Sequence, residues 1–234
     1  MPENVFVLET DRPQRLRARW LFPVAGPPIE NGVLEIQNGQ ITASHPQSDA
    51  NTIDLGNVGL IPGLVNAHTH LEFSDLAQPI QPAKPFTSWI RALVAVRRSQ
   101  PAEASAIQSG LQECWRTGAT AIGEIATQDW SAANYHHSSV DCTVFREILG
   151  LRRERIAEQL EVARNWLAKS TDRDTKFVRG LSPHAPYSVH PELYQSLVEL
   201  ANEQRSPVAV HLAETRAELE LLNQGTGEFV EMLQ

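Results

Sequence analysis

Residues 58–70, Val-Gly-Leu-Ile-Pro-Gly-Leu-Val-Asn-Ala-His-Thr-His, form an apolar run that ends in two histidines. The run from Val58 to Val65 is interrupted by Gly59, Pro62 and Gly63, and its length suits a strand better than a helix. We expect a buried strand whose C-terminal end carries His68 and His70. Side chains two apart on a strand point to one face, so the two imidazoles share a side. Two imidazoles so placed can hold one divalent cation, although His-x-His alone also reads as two polar residues closing a strand.

Downstream of this run, strands and helices alternate. Ser88 to Ser99 has a helical pattern. A second helix starts near Pro101, carries Ile107, Leu111, Cys114 and Trp115 on one face, and stops at Gly118. Strands are expected over Thr120–Ala126, Thr143–Gly150, Phe177–Leu181 and Pro207–Leu212. Between them, Ile156, Leu160, Ala163 and Leu167 stripe a helix over Arg153–Lys169, and Leu193, Leu197, Leu200 and Ala201 stripe one from Pro191. Thr215-Arg-Ala-Glu218 is a capping box that opens a last helix. With the first strand this makes five βα units over 58–234, an α/β fold read as an incomplete (β/α)8 TIM barrel. A whole barrel takes roughly 250 residues, so about three units are wanting and the 234 residues are expected to be a fragment of a longer enzyme.

Upstream, 1–57 reads differently. Leu16–Phe22 and Gly32–Gln37 are strand-like, and Asn38-Gly39 turns the latter into Gln40–Ser44, a hairpin signal. This segment is expected to be the N-terminal part of a small composite β-sandwich domain.

Composition removes several classes. Twenty Lys and Arg against 28 Asp and Glu give a net charge of −8, a poor match to nucleic acid or an anionic membrane. The basic runs Arg12–Arg19 and Arg152–Arg155 read as solvated faces. No stretch approaches ~18 continuous apolar residues, and Met1 to Asp11 lacks a signal-peptide pattern. Cys114 and Cys142 have neither CxxC nor zinc-type spacing, which fits reduced thiols in the cytoplasm.

Three further residues end strands or follow them. His211 closes Val208-Ala-Val-His-Leu; alone it reads as a core histidine, and beside His68 and His70 as a third ligand. Glu214 follows at i+3, where a turning backbone brings its carboxylate to a pocket as a proton carrier; it also suits a helix start. His184 sits in Ser182-Pro-His-Ala-Pro-Tyr, a loop stiffened by two prolines. No lysine ends that strand, which favours one cation over a lysine-bridged pair.

The string Ile61-Pro-Gly-Leu-Val-Asn-Ala-His-Thr-His-Leu-Glu72 resembles the first-strand motif of the amidohydrolase superfamily. Ser182-Pro-His-Ala-Pro-Tyr-Ser and His211-Leu-Ala-Glu214 resemble later motifs of its deaminase branch, which includes adenosylhomocysteine, methylthioadenosine, guanine and aminofutalosine deaminases and the triazine hydrolases. The resemblance implies a metal-dependent hydrolase of C–N bonds that deaminates a small-molecule, purine- or nucleoside-like heterocyclic amine with metal-activated water. His68, His70 and His211 would bind one divalent ion, usually Zn2+ with Fe2+ as the alternative. Glu214 would pass a proton to a ring nitrogen, and His184 would contact the substrate. Glu72 and Trp89 join as substrate-binding candidates, Trp89 by capping a pocket. The His-Thr-His-Leu-Glu-Phe-Ser form followed by Pro-Phe-Thr-Ser-Trp-Ile is most similar to aminofutalosine-deaminase-like members. The superfamily also uses a histidine after the sixth strand and an aspartate after the eighth, which have no counterpart in these residues. The alternatives are hydrolysis of a cyclic amide or chlorinated triazine, or a catalytically incompetent truncated paralogue that serves as an assembly partner. A homo-oligomer is compatible with every reading.

Overall fold

A computed structural model of the chain describes residues 12–99, 103–128, 130–131, 133–136, 138–169 and 177–234. Met1 to Asp11 and Pro101 lie outside the described residues. The chain divides into two compact units, 1–63 and 64–234.

In the first unit, strands β1 (Gln14–Arg17), β2 (Trp20–Leu21), β3 (Ile29–Glu30), β4 (Val33–Gln37), β5 (Gln40–His45), β6 (Ile53–Asp54) and β7 (Gly59–Leu60) form two small sheets. One has the order β5-β4-β1-β6 and the other β3-β2-β7. The β4–β5 turn is built as the sequence predicts: Asn38 and Gly39 both take positive φ, the geometry a two-residue hairpin requires. The single strand expected over Leu16–Phe22 is two strands. The chain leaves one sheet after Arg17 and joins the other at Trp20.

The second unit begins at Leu64, not at Val58. Gly59–Leu60 pairs with Trp20–Leu21 in the first unit, and Pro62, which has no N–H, separates that pair from the strand that follows. That strand, β8 (Leu64–Thr69), starts a parallel sheet of order β11-β10-β9-β8, with β9 (Ala119–Ala126), β10 (Asp141–Ile148) and β11 (Phe177–Pro183). The helices α1 (Phe86–Ser99), α2 (Ala104–Arg116), α3 (Ala133–His136), α4 (Ile156–Ala168), α5 (Pro191–Gln204), α6 (Arg216–Gln224) and α7 (Glu228–Leu233) accompany it.

The core follows from the helix stripes. Ile107 and Leu111 of α2, Ala163 and Trp166 of α4, and Leu193, Leu197 and Ala201 of α5 are buried with Ile122, Val144, Ile148 and Leu181 from the strands. Trp166 also donates its indole N–H to the Gly180 carbonyl at 2.9 Å. β9 and β10 are buried along most of their length, as strands covered on both faces must be. β8 departs from expectation. Leu64 and Val65 are exposed, because β8 pairs with β9 alone among the described residues.

Two details place the site. The β8–β9 register shifts between Asn66 and Thr69, so the pleat is re-aimed where the histidines emerge. Gly123 makes room opposite the shift: a Cβ there would lie 2.2 Å from the Ala67 carbonyl oxygen. The fifth strand expected over Pro207–Leu212 is held more loosely than a ladder. One bridge joins Val208 to Leu181, with Leu181 N–H donating to Pro207 O and Ala209 N–H to Leu181 O at 3.0 Å each.

Candidate metal centre and cavity

The C-terminal ends of the parallel strands carry the polar residues. His68 lies one residue before the end of β8 and His70 follows the strand, Glu147 lies near the end of β10, and His184 follows β11. His211 comes from the segment beside β11, where its N–H donates to the His184 carbonyl at 2.8 Å.

Three imidazoles converge. Nε2 of His70 is 3.4 Å from Nε2 of His68 and 3.4 Å from Nε2 of His211. A tetrahedral ion held by nitrogens at ~2.0–2.1 Å has ligand-to-ligand edges of about 3.3–3.4 Å, so the spacing fits one cation. The His211 tautomer agrees. His211 directs Nδ1 at the His184 carbonyl, 3.1 Å away, which leaves the Nε2 lone pair facing its neighbours. Protonation is also suppressed. Burial first, then the neighbouring His211, lowers the His70 pKa to about 3, and burial is the leading cause of the lowered values of His68 and His211. Neutral imidazoles are the form that binds metal.

Glu214 reaches the site because the backbone turns sharply after His211. Ala213 adopts φ +57°. The fully buried Glu218 carboxylate accepts the N–H of Ala213 at 3.1 Å and that of Glu214 at 2.8 Å. Thr215 caps α6 as the sequence predicts, accepting from Glu218 N–H at 3.2 Å. The Glu218 side chain, however, reaches past the cap to the turn. Partial burial, then the Glu218 charge, raises the Glu214 pKa.

A cavity of about 660 Å³ opens beside the imidazoles. Its walls include Phe73, Ile80, Phe86, Trp89, Leu93 and Met232, with His70, Arg97, Glu147, His184, His211 and Glu214 as polar members. Trp89 stacks on Phe86 with centroids 5.5 Å apart. His184 hydrogen-bonds Ser188 Oγ through Nδ1 at 2.6 Å, and burial lowers its pKa to about 3.

Glu72 is not among the lining residues. Its buried carboxylate pairs with Arg97 at 2.6 Å through Oε1 and accepts from Thr127 Oγ1 at 2.7 Å through Oε2. In this structure that carboxylate holds Arg97 and Thr127.

Sequence reading passed over Arg97, Glu124, Glu147 and the turn-holding use of Glu218. Glu124, fully buried, accepts from Leu71 N–H at 2.9 Å, next to His70. Burial raises its pKa well above the usual carboxylate range. Glu124 left a signal as the lone carboxylate of an otherwise apolar strand, Ala-Ile-Gly-Glu-Ile-Ala, and Glu147 left a weaker one, a carboxylate set beside Arg146 in Val-Phe-Arg-Glu-Ile.

Residues 60–233 match the amidohydrolase family, and the chain belongs to it. It is 30% identical over 203 residues to a 5-methylthioadenosine/S-adenosylhomocysteine deaminase of Shouchella clausii, covering 82% of this chain and 45% of that one. It is 30% identical over 176 residues to an aminodeoxyfutalosine deaminase of Nitratiruptor sp., covering 73% of this chain and 42% of the relative. The fold matches the crystal structure of Helicobacter pylori aminofutalosine deaminase in complex with methylthio-coformycin, with a TM-score of 0.79 at 21% identity over 92% of this chain and 55% of that one. The chain thus spans about half the length of the curated relatives it matches. Among the described residues no helix is long and apolar enough to cross a membrane.

Proposed function

We propose that this chain carries the metal ligands and the proton carrier of a hydrolase that deaminates a purine- or nucleoside-like heterocyclic amine. The observation that carries the reading is the convergence of three Nε2 atoms, His70 standing 3.4 Å from both His68 and His211, at one end of a parallel sheet. These imidazoles hold one divalent ion, zinc in preference to iron. When bound, the ion supplies Lewis acidity that makes water a nucleophile near neutral pH.

The remaining roles belong to side chains. Glu214 takes a proton on its carboxylate and delivers it to a ring nitrogen of the substrate. Its pKa is raised by partial burial and then by the Glu218 charge, which favours the proton-bearing form that such a carrier passes through. His184 and Trp89 contact the substrate from opposite kinds of wall, one polar and one aromatic. The apolar cavity lining excludes water from the ring. The sheet and the 207–211 segment read as successive strands of a (β/α)8 barrel, and 1–57 as part of a β-sandwich. The two free thiols agree with a cytoplasmic location. The two relatives described above, both deaminases by name, support deamination over other C–N hydrolysis.

The test loads the protein with zinc and follows ammonia release from adenine and guanine nucleosides, with chloride release from chlorinated triazines in parallel. Ammonia release that is lost in Glu214→Gln, while zinc stays bound, supports the reading. Chloride release alone replaces deamination with triazine hydrolysis. A zinc-loaded protein inert toward the whole panel overturns the enzymatic reading of this chain.

A further inference from the structure

One arginine lines the cavity among the described residues, and its donors are only partly used. A guanidinium offers five N–H donors. The one hydrogen bond that Arg97 makes among the described residues runs from Nη2 to Glu72 Oε1 at 2.6 Å. Its Nε is buried without a partner. The group is held from behind. Glu72 is 5% exposed, does not line the cavity, and has its second oxygen taken by Thr127 Oγ1 at 2.7 Å, so its orientation is fixed. Phe73 carries the guanidinium on its ring face, with Cζ 5.0 Å from the centroid. The Arg97 side chain is itself 29% exposed, so the end held by neither Glu72 nor Phe73 meets open space. A fork engaged at one corner, with an unpartnered N–H beside it, gains from an oxygen acceptor that enters the cavity.

The cavity's own carboxylates do not supply that acceptor. Glu147 and Glu214 line the same space, and neither accepts from Arg97 among the described residues. Their charges oppose an anion, while Arg97 and the cation proposed at the imidazoles attract one. Because the interaction grows as distance falls, the group in contact decides the outcome, and beside Phe73 that group is Arg97. One ring separates Arg97 from the proposed metal ligands: the Phe73 centroid is 6.1 Å from that of His70. An acceptor that lies on Arg97 while the heterocycle lies at the imidazoles is therefore carried on a substituent and not on the reacting ring.

We propose that Arg97 is a specificity-determining residue that receives an anionic oxygen group, carboxylate or phosphate, borne on a substituent of the heterocyclic amine. This rests on the reading of the cavity as the place where that amine binds. Arg97 then decides which amines are held, not how ammonia leaves. Glu72 keeps the guanidinium aimed, and its fixed place outside the cavity leaves the open corner to the ligand.

The test uses three probes that differ in one group: the neutral adenosine 5′-carboxamide, adenosine 5′-carboxylate and adenosine 5′-phosphate. Binding to the zinc-loaded protein is read by rapid-mixing quench of tryptophan fluorescence, ahead of turnover. A charge-assisted hydrogen bond to a partly exposed arginine should favour an anionic probe over the carboxamide by about 10- to 30-fold. The tighter of carboxylate and phosphate identifies which anion the site takes. Arg97→Gln should bring all three probes within about threefold of one another. Arg97→Lys keeps the charge and loses the planar fork, so it should keep part of the preference. Glu72→Gln leaves Arg97 in place without its counter-charge and should keep or widen the preference. An Arg97 that serves only to hold Glu72 predicts otherwise: Arg97→Gln and Glu72→Gln then weaken all three probes alike, which overturns the proposal. An anion preference that survives in Arg97→Gln overturns it in favour of the zinc ion as the anion's partner. Anionic probes that bind the native protein no tighter than the carboxamide also overturn it, and the bound carboxamide leaves the deaminase reading standing. Failure of every probe to bind overturns both.

Discussion

Replacing Glu218 by alanine should loosen the metal centre although Glu218 touches no proposed ligand. Its carboxylate accepts two backbone N–H groups, from Ala213 at 3.1 Å and Glu214 at 2.8 Å, and it is fully buried. Hydrogen bonds to a charged group contribute about 1.5–3 kcal/mol each, and the alanine strands both donors in a turn that already holds Ala213 at φ +57°. Discounting for non-additivity and water entry, the loss should be about 3 kcal/mol, which lowers the melting temperature by roughly 6–12 °C. The same turn aims His211, so zinc affinity should fall by about 10- to 100-fold, the range for outer-shell partners of metal ligands. The assays are thermal unfolding of the metal-free protein and chelator competition for zinc. Thr215→Ala is the control, since it removes the α6 cap and leaves the turn's two acceptors in place. If Glu218→Ala binds zinc as tightly as Thr215→Ala does, the turn is held by something else and the reasoning fails.

Three other outcomes follow from the geometry. Zinc at ~100 times its dissociation constant should raise unfolding free energy by about 2.7 kcal/mol, and calorimetry on His70→Asn should find that gain abolished. In the metal-free protein Glu147 has a folded pKa of about 7 against 4.5 for a free carboxyl, raised first by burial. Its raised value means that stability is full below about 4.5 and is lost as pH rises through 7. Glu147→Gln should therefore out-melt the native chain at pH ~8, by about 3 kcal/mol at most, with the advantage gone near pH ~4; equal melting at both pH values would count against a buried charge. Gly123→Ala would put a Cβ 2.2 Å from the Ala67 carbonyl oxygen, and the backbone must yield. We expect a loss of about 2 kcal/mol or more with weakened zinc binding, checked by denaturant titration and chelator competition.

The sequence carried more of the strand ends than of their surroundings. His-x-His after an apolar run, and His211 after another, were legible because a strand's period of two and its C-terminal polarity are local properties. Glu214 was legible only through the bend after His211, and the bend's cause was hidden. Thr215-Arg-Ala-Glu218 signals a helix start in any context, and nothing local says that the Glu218 carboxylate will accept from Ala213 and Glu214. The partners of Glu72 were hidden for a related reason: Arg97 and Thr127 are 25 and 55 positions away. Val58–Val65 was read as one buried strand, but Pro62 splits it and pairing leaves β8 exposed. Periodicity reports which residues share a face and is silent on what covers that face.

The approach of His70 to His211 spans 141 positions of sequence. In a disordered chain, bringing such distant points together sacrifices closure entropy, and a cation bound to both would act as a reversible staple across that loop. The staple cannot start the folding process, because its two sides meet only after β8 to β11 have aligned in order. It closes late and then resists opening. Metal loading should therefore slow unfolding much more than it speeds refolding.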